Sequence, residues 1–185
     1  MQFMADNIHY IDSYSPKSSD IFFFDNNVWM YLYCPLGNFN IKKQKRFSAF
    51  LQSINSVKST IYINSLILSE FTNRYLRIDF EFWKKITKKY TANFKNNYIG
   101  TDRYKDTVKE IQRNVSQILK LCTKSSDNFN AVDLNKIFEH LQHIDFNDSY
   151  YLELARLDNL KIVTDDTDFI NHKNHKVDII TLTKQ

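Results

Sequence analysis

The run IFFF at Ile21–Phe24 constrains this chain more than any other feature. Four consecutive large apolar residues leave no polar face, so a strand built from them must be covered on both sides, as in a parallel sheet. Three further runs have strand character: TIYIN at 60–64, KIVT at 161–164 and VDIITL at 177–182. Another short strand is expected near 143–146. Between the strands, apolar residues recur at helical spacing. Phe47, Phe50, Leu51 and Ile54 mark one helix. Ile67, Phe71, Tyr75 and Ile78 mark a second, capped by Ser65. Phe82, Trp83, Ile86 and Tyr90 are expected to face inward on a third. Val108, Ile111, Val115, Ile118 and Cys122 step by three and four without a break, and further helices are expected over 132–141 and around Tyr151, Leu152 and Ala155. Short buried strands alternating with helices specify an α/β fold with a mostly parallel sheet.

The composition fits a packed domain. The chain has 185 residues, 43% hydrophobic and 15% aromatic, but only two Gly and two Pro. Tight irregular turns are therefore expected to be few and helices to dominate. A net charge of +4 permits an anionic partner without demanding one. Cys34 and Cys122 form neither a CxxC motif nor a Cys/His cluster, so they read as two reduced thiols. The first twenty residues lack a basic region followed by an apolar run, and no apolar run approaches the ~20 residues of a membrane span. The expectation is a cytoplasmic protein without a membrane partner.

Acids stand at or just after the strand ends. Asp25 ends the first strand, Glu70 lies in the helix after the second, and Asp148 opens a later helix. Asp165, Asp166 and Asp168 follow KIVT. In an open parallel sheet these ends share one edge, where ligands bind. Two carboxylates within about 4 Å repel by roughly 4 kcal/mol at an effective dielectric of 20. A divalent cation relieves that repulsion, and a set of Asp and Glu oxygens suits Mg²⁺ or Mn²⁺ rather than zinc. Such ions can promote phosphodiester hydrolysis by water without a protein nucleophile. Each acid also has a plainer reading. Asp25 can end a turn, Glu70 can pair with Arg74 on a surface, and Asp148 and the TDDTD acids can cap helices.

The four segments FFFDNNVWM, NSLILSEFTNRYL, NDSYYLELA and IVTDDTDF, in this order, resemble the PIN-domain family of metal-dependent ribonucleases, including its VapC-like toxin members. The resemblance covers about 21–76 and 146–170. It implies a three-layer α/β/α PIN-like domain over 21–185, preceded by an N-terminal arm at 1–20 and carrying an extended helical insert at 77–140. It also implies that Asp25, Glu70, Asp148 and Asp166 hold Mg²⁺ or Mn²⁺, with Asp168 as an auxiliary metal acid. Asp165 occupies the motif's variable position and is expected to face solvent. Asn26 and Thr164 would orient ligands or phosphate from behind. The implied reaction is hydrolysis of RNA by a metal-activated water, leaving a 3′-hydroxyl. The implied partners are RNA, an antitoxin protein and a second copy in a homodimer.

Other readings compete. A non-catalytic PIN-like binding module would have no need of clustered acids, and a structure-specific DNA nuclease would need extra DNA-binding elements from the insert. FFFDNNVWM also resembles a phosphatase start with a nucleophilic Asp, but Asn27 stands where that motif needs a second Asp. Glycine-rich phosphate loops are absent. The stretch FEFWKKITKKY carries Lys84, Lys85, Lys88 and Lys89 beside Trp83 and Tyr90. It reads first as an amphipathic helix with solvated lysines that can steer RNA. His140, His143, His172 and His175 read as loop or surface residues rather than a metal set.

Overall fold

A computed structural model describes residues 7–172 and 175–182. Its centre is a six-stranded sheet in which every pairing is parallel. In chain order the strands are β1 (Ile8–Tyr10), β2 (Ile21–Phe24), β3 (Thr60–Ile63), β4 (Thr123–Lys124), β5 (Lys161–Val163) and β6 (Ile179–Thr181). Their spatial order is β1-β6-β5-β2-β3-β4. The helices are α1 (Asn26–Tyr33), α2 (Ile41–Ser56), α3 (Ser65–Thr87), α4 (Asp102–Leu121), α5 (Leu134–His140), α6 (Phe146–Asp158) and α7 (Thr167–Asn171).

The IFFF run is the central strand, and its burial explains its composition. Phe22 and Phe24 face one side, where they meet Phe50 of α2 and Trp29 of α1. Phe23 faces the other side and meets Tyr151 of α6 with ring centroids 5.1 Å apart. All three phenylalanines are essentially inaccessible to solvent. Helices thus cover both faces, giving the three-layer α/β/α arrangement.

Several sequence expectations change. The first twenty residues are not all loose arm: Ile8–Tyr10 pairs with Ile179–Thr181 as an edge strand. An edge strand has one neighbour, so it needs no apolar run to announce it. Residues 143–146 form no strand; they turn into α6. A strand the sequence did not reveal, β4, lies inside 77–140 and caps the opposite edge of the sheet. That segment therefore contributes to the sheet as well as supplying α4 and α5.

The helices expected over 65–78 and 80–90 are one continuous α3. Its buried face in the second half is Leu76, Asp79, Phe80 and Trp83, while Phe82, Ile86 and Tyr90 are exposed. The inward set is displaced because α3 there packs against α4 and the short π-helical turn Phe94–Tyr98. Asp79 sits in this interface, fully buried, and accepts hydrogen bonds from Tyr98 Oη, the Arg103 guanidinium and Thr107 Oγ1. Because glycine is scarce, helix ends fall to other residues in left-handed conformation: Lys88 closes α3 at φ 56° and Asn159 closes α6 at φ 51°. Cys34 and Cys122 are both free thiols. Among the described residues no helix is long and apolar enough to cross a membrane.

Candidate active site

The carboxyl ends of β2, β3 and β5 open onto one cleft of about 470 Å³. Asp25, Glu70, Asp148 and Asp166 all line it, as does Asn26. Each arrives from a different element. Asp25 is the N-cap of α1 and follows β2 directly. Its backbone N–H donates to Val163 O at 3.0 Å, so the β2–β5 pairing fixes its place. Glu70 lies one and a half turns into α3, Asp148 in the first turn of α6, and Asp166 is the N-cap of α7.

Local chemistry explains the placement. Asp166 accepts from the Asp168 N–H at 3.0 Å, which caps α7 while the residue still lines the cleft. The capping and the chemical reading of this aspartate are therefore compatible. In α6 the cap is Asp145, not Asp148: Asp145 Oδ1 accepts from the Asp148 N–H at 2.9 Å. That arrangement frees the Asp148 carboxyl, and it adds Asp145 to the cleft as a fifth acid. The Asp-x-x-Asp spacing of 145–148 was the sequence signal for it.

Thr164 organises the floor. Its hydroxyl donates to Asp25 Oδ2 at 2.7 Å and accepts from the Asp166 N–H at 2.9 Å and from Asn27 Nδ2 at 3.1 Å. Glu70 is held by Tyr151 Oη, which donates to Oε2 at 3.0 Å, and by Asn147 Nδ2, which donates to Oε1. Asn27, Asn147 and Tyr151 were not expected in the site from sequence, because their partners lie 77 to 137 residues away. Arg74 and Arg77 also line the cleft, four and seven residues after Glu70 on the same face of α3.

The electrostatics follow from gathering acids in a partly dry site. Burial pushes the Asp25 carboxyl up to about 7, with Glu70 and Asp166 adding to the rise and the Thr164 hydrogen bond opposing it. Burial pushes Asp148 up to about 9, reinforced by Asp25, Asp145, Asp166 and Glu70. Glu70 is also raised, first by burial and then by Asp145, against its hydrogen bonds from Asn147 and Tyr151. Like charges hold these groups toward their protonated forms.

This donor set fits a hard divalent cation. All the candidate ligands are oxygens, and the buried Asn26 Oδ1 has no hydrogen-bond partner in the lining of the same cleft. Among the described residues no three His, Cys, Asp or Glu side chains form a ready-made cage, so the acids line the cleft without enclosing a point.

The remaining expected residues lie elsewhere. Asp168 is exposed in the first turn of α7 and does not line the cleft. Asp165 points away from it, but not toward solvent. Its side chain is 3% exposed and accepts from Lys43 Nζ at 2.5 Å and Tyr31 Oη at 3.0 Å. The expectation failed because α2 brings a cation over that position. Lys84, Lys85, Lys88 and Lys89 stand at the far end of α3, about 20 Å or more along its axis from Glu70. Lys84 pairs with Glu81 at 2.8 Å, and Lys89 lies 5.3 Å from the Trp83 ring centroid. His140, His143, His172 and His175, expected as loop or surface residues, form one cluster.

The PIN domain family model matches residues 22–174. Comparison with curated protein sequences returns no significant match. Among solved structures, the fold is similar to a chain in the crystal structure of VapBC2 from Rickettsia felis bound to a DNA fragment from their promoter. The TM-score is 0.48 and the identity 14%, over 86% of this chain and 98% of that one.

Proposed function

The chain belongs to the PIN domain family, whose members are generally nucleases, and from that premise we propose that it is a Mg²⁺- or Mn²⁺-dependent endoribonuclease. The observation that carries this reading is the convergence of Asp25, Glu70, Asp148 and Asp166 on one cleft, where burial and neighbouring acids raise the proton affinities of Asp25, Asp148 and Glu70. A scaffold gains nothing from such repulsion, whereas a cation site requires it.

In this reading those four carboxylates hold the cation, and Asp168, outside the cleft lining, serves as an auxiliary acid through solvent. When bound, a divalent cation supplies the positive charge that makes water a competent nucleophile and stabilises the departing oxygen. The protein's own residues do the rest. Thr164 opposes the rise in Asp25's proton affinity and orients the carboxyl, with Asn27 fixing the hydroxyl in turn. Tyr151 and Asn147 fix both oxygens of Glu70. Asn26 offers its unpartnered carbonyl to the same space. Arg74 and Arg77 give the cleft a cationic wall for phosphates flanking the scissile bond. Lys84, Lys85, Lys88 and Lys89 form a weaker, distant contact for the RNA backbone. Hydrolysis leaves a 3′-hydroxyl.

The motif order further favours the toxin of a type II toxin–antitoxin pair, with an antitoxin protein as partner and a homodimer as its assembly. The testing experiment incubates purified protein with single-stranded RNA and, separately, DNA, in Mg²⁺ or Mn²⁺ and in chelator. Metal-dependent cleavage of RNA alone is expected. Cleavage of DNA only would move the proposal to a DNA nuclease, and cleavage of neither would leave a binding module.

A further inference from the structure

Four of the chain's five histidines occur as two H-x-x-H pairs, HLQH at 140–143 and HKNH at 172–175. The fold brings the two pairs together at the C-terminal ends of α5 and α7. His140 Nδ1 lies 2.7 Å from His172 Nε2, with the rings nearly perpendicular and their centroids 4.9 Å apart. His143 stacks on His172 at 5.3 Å, and His175 lies 5.9 Å from His172. His172 is buried, His140 is half-buried, and His143 is exposed.

We propose that this histidine cluster is a binding site for a borderline transition-metal cation, Zn²⁺ foremost, separate from the acidic cleft. Three arguments support it. The ligand type is right: imidazole nitrogens suit Zn²⁺, Ni²⁺ and Cu²⁺, whereas the cleft's oxygens suit Mg²⁺ and Mn²⁺. The protonation state is right: burial and the neighbouring histidines lower the proton affinity of His140 and of His172, so both are neutral and competent to ligate. One outer contact is also in place. His175 Nε2 lies 3.0 Å from Phe169 O, a carbonyl that can only accept, and its Nδ1 lies 3.4 Å from Asn7 Nδ2, so this ring is held in place behind His172 as an outer partner of the cluster.

The cluster is closed on itself rather than shaped as a cage. Two nitrogens on one tetrahedral Zn²⁺ stand about 3.3 Å apart, given Zn–N bonds near 2.0 Å. Loading therefore parts the His140–His172 pair by about half an ångström. The ring that donates in that pair moves its proton to its other nitrogen, so both facing nitrogens become lone-pair donors. Exposed His143 turns in as a third ligand, and water completes the set. The consequence is a brace. His143 lies two residues before Asp145, the cap of α6, and His172 follows α7, whose cap is Asp166.

The test uses full-length, untagged protein stripped with chelator and titrated with Zn²⁺ by calorimetry, and with Co²⁺ by visible absorption. One equivalent should bind, with tetrahedral Co²⁺ bands and a raised thermal midpoint. Asp25→Asn should retain this equivalent, which separates it from the acidic cleft, and His9→Gln should retain it too. His143→Gln, at an exposed position that folding does not need, and His140→Gln should each lose about tenfold or more in affinity, the scale that even an outer partner commands. Absence of binding in the wild type, or affinity unchanged from the wild type in both cluster variants, would overturn the proposal.

Discussion

Thr164 Oγ1 donates a 2.7 Å hydrogen bond to Asp25 Oδ2, linking the end of β5 to the acid at the end of β2. The same oxygen accepts from the Asp166 N–H. One hydroxyl thus sets the spacing of two cleft acids that lie far apart in sequence. Thr164→Val keeps the shape and removes the hydroxyl. It removes the Thr164 partner of the buried Asp25 carboxylate and of the partly buried Asp166 N–H, at a cost of about 1–3 kcal/mol. Loss of the hydrogen bond also raises the Asp25 proton affinity further. Urea unfolding should show the destabilisation, and the pH-rate profile for RNA cleavage should shift to higher pH.

The raised acids make a second prediction. Asp25 at about 7 and Asp148 at about 9 both lie above their unfolded values, so the unfolded chain releases protons first as pH rises. Stability from these groups is therefore complete below about pH 4 and is lost as pH rises through about 7 and then 9. Metal-free protein should melt at progressively lower temperature from mildly acidic to alkaline buffer. Asp148→Asn should flatten that slope, and added Mn²⁺ should stabilise more at the alkaline end. A slope unchanged by Asp148→Asn would contradict the electrostatic account.

How much of this was readable follows from the range of each signal. The central strands β2, β3, β5 and β6 and the long α4 carry local apolar patterns; of the cleft acids, Asp25 and Asp166 stand just after strand ends, while Glu70 and Asp148 lie in the helices α3 and α6. Edge strands β1 and β4 have three and two residues and no apolar signature. Asp165 was misplaced because Lys43, 122 residues away, supplies its partner. The inward face of late α3 was misjudged because Asp79 is buried by a network it cannot show in sequence. The histidine cluster needed the third dimension to appear at all.

That Asp79 network yields a stability prediction. Burial would raise this carboxyl, but hydrogen bonds from Arg103, Tyr98 and Thr107 outweigh it and lower it overall. Asp79→Ala leaves the buried Tyr98 hydroxyl without its acceptor, while the partly exposed Arg103 is solvated instead, and should cost about 1–3 kcal/mol, read by chemical unfolding. Because the folded value is lowered, this contribution is present above the unfolded carboxylate range and fades as pH falls through it. RNA cleavage at low temperature should survive, since Asp79 does not line the cleft.

Arg74 separates substrate binding from metal binding. Arg74→Ala should weaken RNA binding several-fold, visible as a raised KM and a shallower salt dependence. The Mn²⁺ concentration giving half-maximal rate should fall or stay level, because a repelling cation has left the wall.

The central claim is that the acidic cleft is a nuclease site. The most direct measurement compares wild type and Asp25→Asn for Mn²⁺-dependent cleavage of single-stranded RNA, with circular dichroism to confirm equal folding. The account predicts robust cleavage by the wild type and loss of at least about a hundredfold in the variant, the scale of one electrostatic group at a reacting centre. Undiminished cleavage by a folded Asp25→Asn protein would contradict it.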